Sequence, residues 1–332
     1  MSKNFLTIII VVILFLAGWL YYQFYLPFSP GEPLKVFIIE KGSGLSEIAS
    51  QLKQEGLIRS RLFFSFYVFL KGSQSDLKAG EYNLSPSMNI SEIAGQIIQG
   101  NIAGTKITII EGWNIRDIAA YLGGKGICSK ESFLEAVNFS AGVEGEFDFL
   151  SDKPEKTNLE GYLFPDTYWV KQTADADDII KILLTNFGNK LTPAIREEIN
   201  AQGKTIFEII TMASLIEKEV ATDSDRRVVS GIFWKRLENH YPLQSCATIA
   251  YALGFDKWRY SVEDTQIDSP YNTYKYAGLP AGPIANPGLS AIKAAIEPEA
   301  SDYNYFMSKS DGETVFSKTL QEHNIAIQKY LK

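Results

Sequence analysis

Three stretches repeat one pattern of apolar positions. Leu45, Ile48, Ala49 and Leu52 are followed by Ile90, Ile93, Ala94 and Ile97, then by Ile115, Ile118, Ala119 and Leu122. Each set is spaced i, i+3, i+4, i+7 behind a polar or glycine turn, which predicts a short amphipathic helix. The first and third copies follow β-branched runs, at 36–39 and 106–110, that read as strands. The spacing is irregular, about 45 and then 25 residues, so the repeat is a reused strand–helix unit and not a solenoid. Further helices are expected at 131–138, 177–190, 193–202, 226–239, 289–296 and 321–331, and a hairpin at 303–307 with 314–317. Thr205 followed by Glu208 is a capping box that opens an apolar-periodic helix running through Val220. Residues 241–287 read as loop, dense in Pro, Gly, Asn and Tyr. The class is α+β.

Residues 5–22 are apolar or uncharged throughout, and 18 residues at 1.5 Å rise cover about 27 Å, enough for a hydrocarbon core. Trp19, Tyr21, Tyr22 and Tyr25 stand where an interfacial aromatic belt belongs. Lys3 precedes the run and the next basic residue is Lys35, so residues 1–4 are expected in the cytoplasm and the rest outside. A cleaved signal peptide would have a shorter apolar region ending in small residues, whereas this run ends Tyr-Tyr-Gln-Phe-Tyr. The segment 5–25 therefore reads as a retained single transmembrane helix, with a stiff linker at 26–33.

Composition narrows the chemistry. The 332 residues are 45% hydrophobic and 21% charged with a net charge of −7, which disfavours nucleic acid as a partner. Two histidines, His240 and His323, and two cysteines, Cys128 and Cys246, cannot make a Cys/His zinc site of ordinary spacing. Whether the cysteines pair is open. No metal or cofactor is expected.

Three constellations could carry chemistry. On the capped helix, Ile209, Ala213, Ile216 and Val220 form one stripe, with Glu217 and Glu219 about 80° to either side of it. Both carboxylates would stand at a core–surface boundary, where burial can raise a pKa toward that of a general acid. Ser214 and Lys218, one turn apart, could form a Ser–Lys dyad, although two flanking carboxylates would keep the lysine charged. Cys246 with His240 or His323 would make a thiol nucleophile, with nothing local to activate it. Behind the helix, Gln244–Thr248, Ser269–Tyr274 and Gly278–Gly288 supply amide, hydroxyl and phenol groups suited to a loop-lined cleft for a polar ligand.

The ordered segments Glu160–Tyr168 (EGYLFPDTY), Met212–Glu219 (MASLIEKE), Ser269–Tyr274 (SPYNTY), Gly278-Leu-Pro and Ile284–Gly288 (IANPG) resemble the endolytic murein transglycosylase family (MltG/YceG-like). The likeness covers nearly everything after the linker, and the stretch at 34–104 resembles a LysM βααβ module, which binds N-acetylglucosamine-containing glycans. A bare turn–helix–strand packing unit would look the same there. The resemblance implies a catalytic domain at 105–332 and a membrane-anchored enzyme with its catalytic domain on the outer side. Such an enzyme cleaves nascent peptidoglycan between N-acetylmuramic acid and N-acetylglucosamine, leaving 1,6-anhydro ends, and works beside the cell-wall synthesis enzymes. It places the catalytic carboxyl on Glu219. Gln244, Ser245, Tyr271, Asn272, Tyr274, Asn286 and Glu217 are candidate substrate-binding residues by motif membership and polarity. Many family members read Leu-Gln-Thr-Asp-Pro-Thr where this chain has Leu243-Gln-Ser-Cys-Ala-Thr248, so no role of that Asp passes to Cys246. A non-catalytic, membrane-tethered peptidoglycan-binding scaffold would share the anchor and the LysM-like unit without needing a carboxylate in a cleft.

Overall fold

The computed structural model describes residues 3–100, 104–138, 145–171, 174–257, 260–309 and 311–330. The chain divides into two compact units, one of residues 1–107 with 169–172 and one of 108–168 with 173–332.

In the first unit, α1 (Lys3–Tyr25) leads into β1 (Lys35–Ile39), α2 (Leu45–Gln54), α3 (Arg61–Leu70), β2 (Gly80–Leu84) and α4 (Ile90–Gln99). Strands β1 and β2 pair antiparallel, with Phe37 opposite Tyr82 and Ile39 opposite Gly80. Alternate residues Phe37, Ile39, Tyr82 and Leu84 face inward, as the period of two requires. The echoed positions behave as their spacing dictates, since Ile48, Ala49 and Leu52 of α2 and Ile90, Ile93, Ala94 and Ile97 of α4 enter one core with Phe64 and Val68 of α3. The order β1–α2–α3–β2 is βααβ. Among the described residues no helix is long and apolar enough to cross a membrane. The membrane reading of residues 5–25 depends on side chains at 6–11, 13, 16 and 17, which lie outside the described set.

Strands β3 (Thr105–Thr108) and β4 (Thr167–Val170) make a second two-stranded sheet, shorter than the strand expected at 106–110. The second unit then holds α5 (Ile115–Gly124), α6 (Lys130–Asn138), α7 (Ala176–Lys190), α8 (Pro193–Ala201), α9 (Ile206–Glu219), α10 (Asp223–Glu238), α11 (Cys246–Leu253), α12 (Leu289–Ile296), the hairpin β5 (Tyr305–Ser308) and β6 (Thr314–Ser317), and α13 (Leu320–Tyr330). The third echo is α5, capped by Asn114 and Asp117.

Helix α9 organises this unit. Its capping box is present as read, with Thr205 accepting from the Glu208 N–H and Glu208 from the Thr205 N–H. Asp152 adds a third acceptor, 2.6 Å from the Ile206 N–H. The expected stripe of Ile209, Ala213, Ile216 and Val220 is buried, and so is every other residue from 209 to 216, so that stretch of the helix is covered on every side. Of the two polar members of that run, Ser214 donates its hydroxyl to the Thr211 carbonyl at 2.7 Å, whereas the Thr211 hydroxyl is buried without a hydrogen-bond partner among the described residues. Helices α10 and α12 pack against α9. At Gly231 of α10 an added Cβ would stand 2.1 Å from the Glu299 carbonyl oxygen, so this close crossing needs glycine.

Candidate active site

The last turn of α9 ends on Glu219, with Val220 leaving in extended backbone. The hairpin fixes this end, since the Ser308 hydroxyl donates to the Glu219 carbonyl at 2.9 Å. The Glu219 side chain meets the N-terminus of α11. The Ser245 hydroxyl donates to Oε1 and the Ala247 N–H also donates to the carboxyl. Burial pushes the Glu219 pKa above the ordinary carboxylate range, opposed by the Ser245 bond, the Arg236 charge and the Ala247 N–H. The result is a carboxyl with its proton affinity raised, yet supplied with donors that hold its anion. That combination suits a group that must first give and then take a proton.

Ser245 is 2% exposed and is itself fixed on both sides. Its N–H donates to Thr273 Oγ1 at 3.0 Å, and its carbonyl accepts from the Thr248 hydroxyl at 2.7 Å. The preceding residue, Gln244, sits at φ 53, a conformation that non-glycine residues rarely take. Its N–H donates to the Thr273 carbonyl at 3.0 Å. The strain delivers Ser245 inward to the carboxyl while the Gln244 side chain stays exposed.

Arg236 of α10 was not marked by any sequence motif. Its guanidinium donates to the carbonyls of Leu243 at 2.6 Å and Asn304 at 2.8 Å, joining the loop before Ser245 to the hairpin region. With Gln244, Tyr241, Tyr305 and Leu320 it lines a cavity of about 580 Å³. A smaller one, about 180 Å³, is lined by Ala247, Lys218, Tyr251 and Arg116. Glu219 lines neither; its partners Arg236 and Ala247 each line one. These two cavities are built mainly from helix ends and a hairpin, and of the 269–288 loops only Ile284 lines either.

Those loops do a different task. Asn272 is 1% exposed; its Nδ2 donates to the Thr265 and Ile267 carbonyls, and its Oδ1 accepts from the Tyr274 and Lys275 N–H groups. Asn286 is fully buried; its Oδ1 accepts from Gly161 and Leu163, and its Nδ2 donates to the Trp113 carbonyl and Glu160 Oε1. Both amides are used completely inside the protein, so neither has a group left for a ligand. Gly161, at φ 91, brings its N–H to Asn286 where a Cβ would stand 2.6 Å from Pro283 and 2.7 Å from Ile210.

Glu217 is likewise engaged. Its Oε1 accepts from Arg226 Nη2 at 2.7 Å and its Oε2 from the Gly288 N–H at 2.9 Å, at the N-cap of α12. The two side chains are 5% and 9% exposed. Burial raises the Glu217 pKa, while the Gly288 N–H and Arg226 work against it. The carboxylate ties α9 to α10 and α12.

Tyr274 donates to or accepts from Cys246 Sγ at 3.0 Å and lies close enough to Glu219 to feel its charge; burial raises its pKa. Tyr271 packs against Tyr251 with ring centroids 4.8 Å apart and the rings tilted by 54°. Tyr251 in turn donates to Glu160 Oε2 at 3.2 Å. Glu160 is 3% exposed, accepts from the Ile115 N–H and from Asn286, and is pushed by burial up to about 8. It was visible only as the first letter of the Glu160–Tyr168 motif.

The two nucleophile readings fail on geometry. Ser214 Oγ is buried, donating to Thr211 and accepting from the Ile284 N–H at 3.0 Å, while Lys218 is exposed and reaches the Gly112 carbonyl at 3.5 Å. Cys246 bonds Tyr274, not a histidine, and burial raises its thiol pKa, which keeps it protonated. Cys128 and Cys246 are both free thiols.

Residues 37–329 match the model of the YceG-like family. The chain is 38% identical over 303 residues to a Bacillus subtilis protein named endolytic murein transglycosylase, covering 88% of this chain and 84% of that one. It is 33% identical over a 350-residue alignment to a Streptococcus pneumoniae serotype 2 protein of the same name, covering 96% of this chain and 63% of that longer relative. Among solved structures, the crystal structure of a putative yceG-like protein from Listeria monocytogenes is similar, with TM-score 0.62, 35% identity, 89% of this chain and all of that chain covered. The resemblance carried by the five ordered motifs is thereby borne out, and the chain belongs to the YceG-like family.

Proposed function

We propose that this protein is a membrane-anchored endolytic lytic transglycosylase of peptidoglycan, with Glu219 as the single acid and base. The relatives' shared name supports the substrate class. The environment of Glu219 carries the mechanism: burial raises its proton affinity, and Ser245, Ala247 and Arg236 stand ready to stabilise its anion. In the first step the protonated carboxyl gives its proton to the glycosidic oxygen as the C1–O bond to the leaving N-acetylglucosamine breaks. The carboxylate then takes the proton of the muramic C6 hydroxyl as that oxygen bonds to C1. The product carries a 1,6-anhydro ring, no water is consumed, and Glu219 ends protonated as it began. One carboxyl suffices, whereas hydrolytic glycosidases ordinarily need two.

Gln244, Tyr271 and Tyr274 are proposed to touch the glycan, with Ser245 acting on Glu219 directly. Asn272, Asn286 and Glu217 hold the loops and helices around the site together, because their polar groups are already spent there. The anchor rests on the uncharged run at 5–22, with residues 1–4 cytoplasmic and the catalytic unit outside. A glycan-binding role for the LysM-like βααβ unit, and work beside the cell-wall synthesis enzymes, complete the reading.

The test is mass spectrometry of purified, uncrosslinked glycan strands incubated with the full chain and with Glu219→Gln. Internal fragments with anhydro-muramic ends from the wild type alone are the expected result. Reducing ends would mean a hydrolase, and strand binding without cleavage a scaffold; either overturns the proposal.

A further inference from the structure

We infer that the outer face of α3 is a lipid-docking surface that lies in the membrane interface beside α1. Four large apolar side chains of this helix are exposed: Leu62 72%, Phe66 44%, Phe69 62% and Leu70 61%. At 100° per residue they fall within about 100° of one another, on one face. The opposite face, with Phe64, Tyr67 and Val68, is buried in the core of the first unit. Aromatic and leucine side chains so gathered are an amphipathic surface that is unusual on a protein in water.

The occupant follows from what α3 packs against. The Trp19 and Phe63 rings meet edge-on at 5.1 Å, and Phe24 of α1 meets Phe63, Phe66 and Tyr67 at 5.5–6.2 Å. Arg59, just before α3, donates to the Pro27 carbonyl at 2.5 Å and stacks over the Tyr22 ring at 4.5 Å. Helix α3 is therefore held at the level of α1 where Trp19, Tyr21, Tyr22 and Tyr25 are exposed. Those residue types prefer the boundary between acyl chains and headgroups. The exposed α3 face adds to that belt, and Arg61 and Lys71 at its two ends are cations suited to lipid phosphates. The ligand class is a phospholipid bilayer, and the effect is to hold the first unit flat on the membrane.

This inference rests on the anchor proposed above, and the experiment separates the two. The full chain is reconstituted in phosphatidylethanolamine–phosphatidylglycerol vesicles containing a lipid with a diazirine on its acyl chain. After photolysis, labelled residues are mapped by mass spectrometry. The expected result is label on α1 and on Leu62, Phe66, Phe69 and Leu70, with none on Phe64 or Val68. In Leu62→Ser with Phe69→Ser, label on α3 falls at least fivefold while label on α1 is unchanged. Label on α1 alone overturns the docking and leaves the anchor standing. Label on neither helix overturns both. Protection of α3 by a second copy, captured there by a bifunctional cross-linker, also overturns the docking.

Discussion

Glu217 and Glu219 leave the same turn of α9 and enter opposite worlds. On one flank Glu217 is closed in by the Arg226 guanidinium and the Gly288 N–H, a buried pair that ties three helices together. On the other flank Glu219 meets a hydroxyl, a helix N-terminus and a more distant arginine beside two cavities. Burial raises both pKa values, so the raised pKa does not tell the two apart. The difference lies in the partners. A guanidinium in direct contact fixes a charge in place, whereas hydroxyl and amide donors permit both protonation states.

The scaffold flank should break by unfolding. Arg226→Ala leaves a buried carboxylate unpaired, which costs about 3–5 kcal/mol. That corresponds to a fall in Tm of roughly 10 °C for a unit of this size, read by circular dichroism. Next comes Glu160, which shares Asn286 with the loops beside Glu219. Its folded pKa of about 8 lies above the ordinary glutamate value of 4.5, so the stability it contributes is complete below about pH 4.5 and is lost as pH rises through 8. Tm should therefore fall between pH 5 and pH 9 by an amount equivalent to a few kcal/mol, and Glu160→Gln should flatten that slope.

The reactive flank should respond in rate. Ser245→Ala removes a donor that favours the Glu219 anion, so the descending limb of the pH–rate profile moves to higher pH, with roughly a tenfold loss at the optimum. An unmoved limb would mean that Ser245 acts only as structure. The smallest effect is at Gln244, where Gln244→Gly relieves the left-handed backbone and should stabilise the fold by about 1 kcal/mol. Turnover should drop, because the exposed amide that faces the larger cavity is gone.

Legibility followed the range of the interactions. The echo helices α2, α4 and α5, the capping box of α9 and the exact span of α12 could be read locally, because cap and period lie within one or two turns. Helix α3 could not, since its sequence RLFFSFYVFL is apolar on most sides and carries no period. Helix α11 was hidden in a segment that reads as loop; it is eight residues long, and its signals are Ser245 at the N-cap and Gly254 at φ 87. At the site, Glu219 was visible through its motif and boundary position. Arg236 was not, because its link to Glu219 depends on the return of the chain between Leu243 and Asn304. Asn272 and Asn286 looked like ligand groups by type, and only their full set of internal hydrogen bonds shows what they hold.

The division of labour across α9 is tested most directly by measuring cleavage of glycan strands and Tm together for Glu219→Gln and Glu217→Gln in the full chain. Glu219→Gln should lose at least about 10²-fold in rate with Tm unchanged. Glu217→Gln should lose several degrees of Tm while its folded fraction cleaves at close to the wild-type rate. A folded Glu217→Gln protein without activity, or a Glu219→Gln protein that still cleaves, would contradict that division.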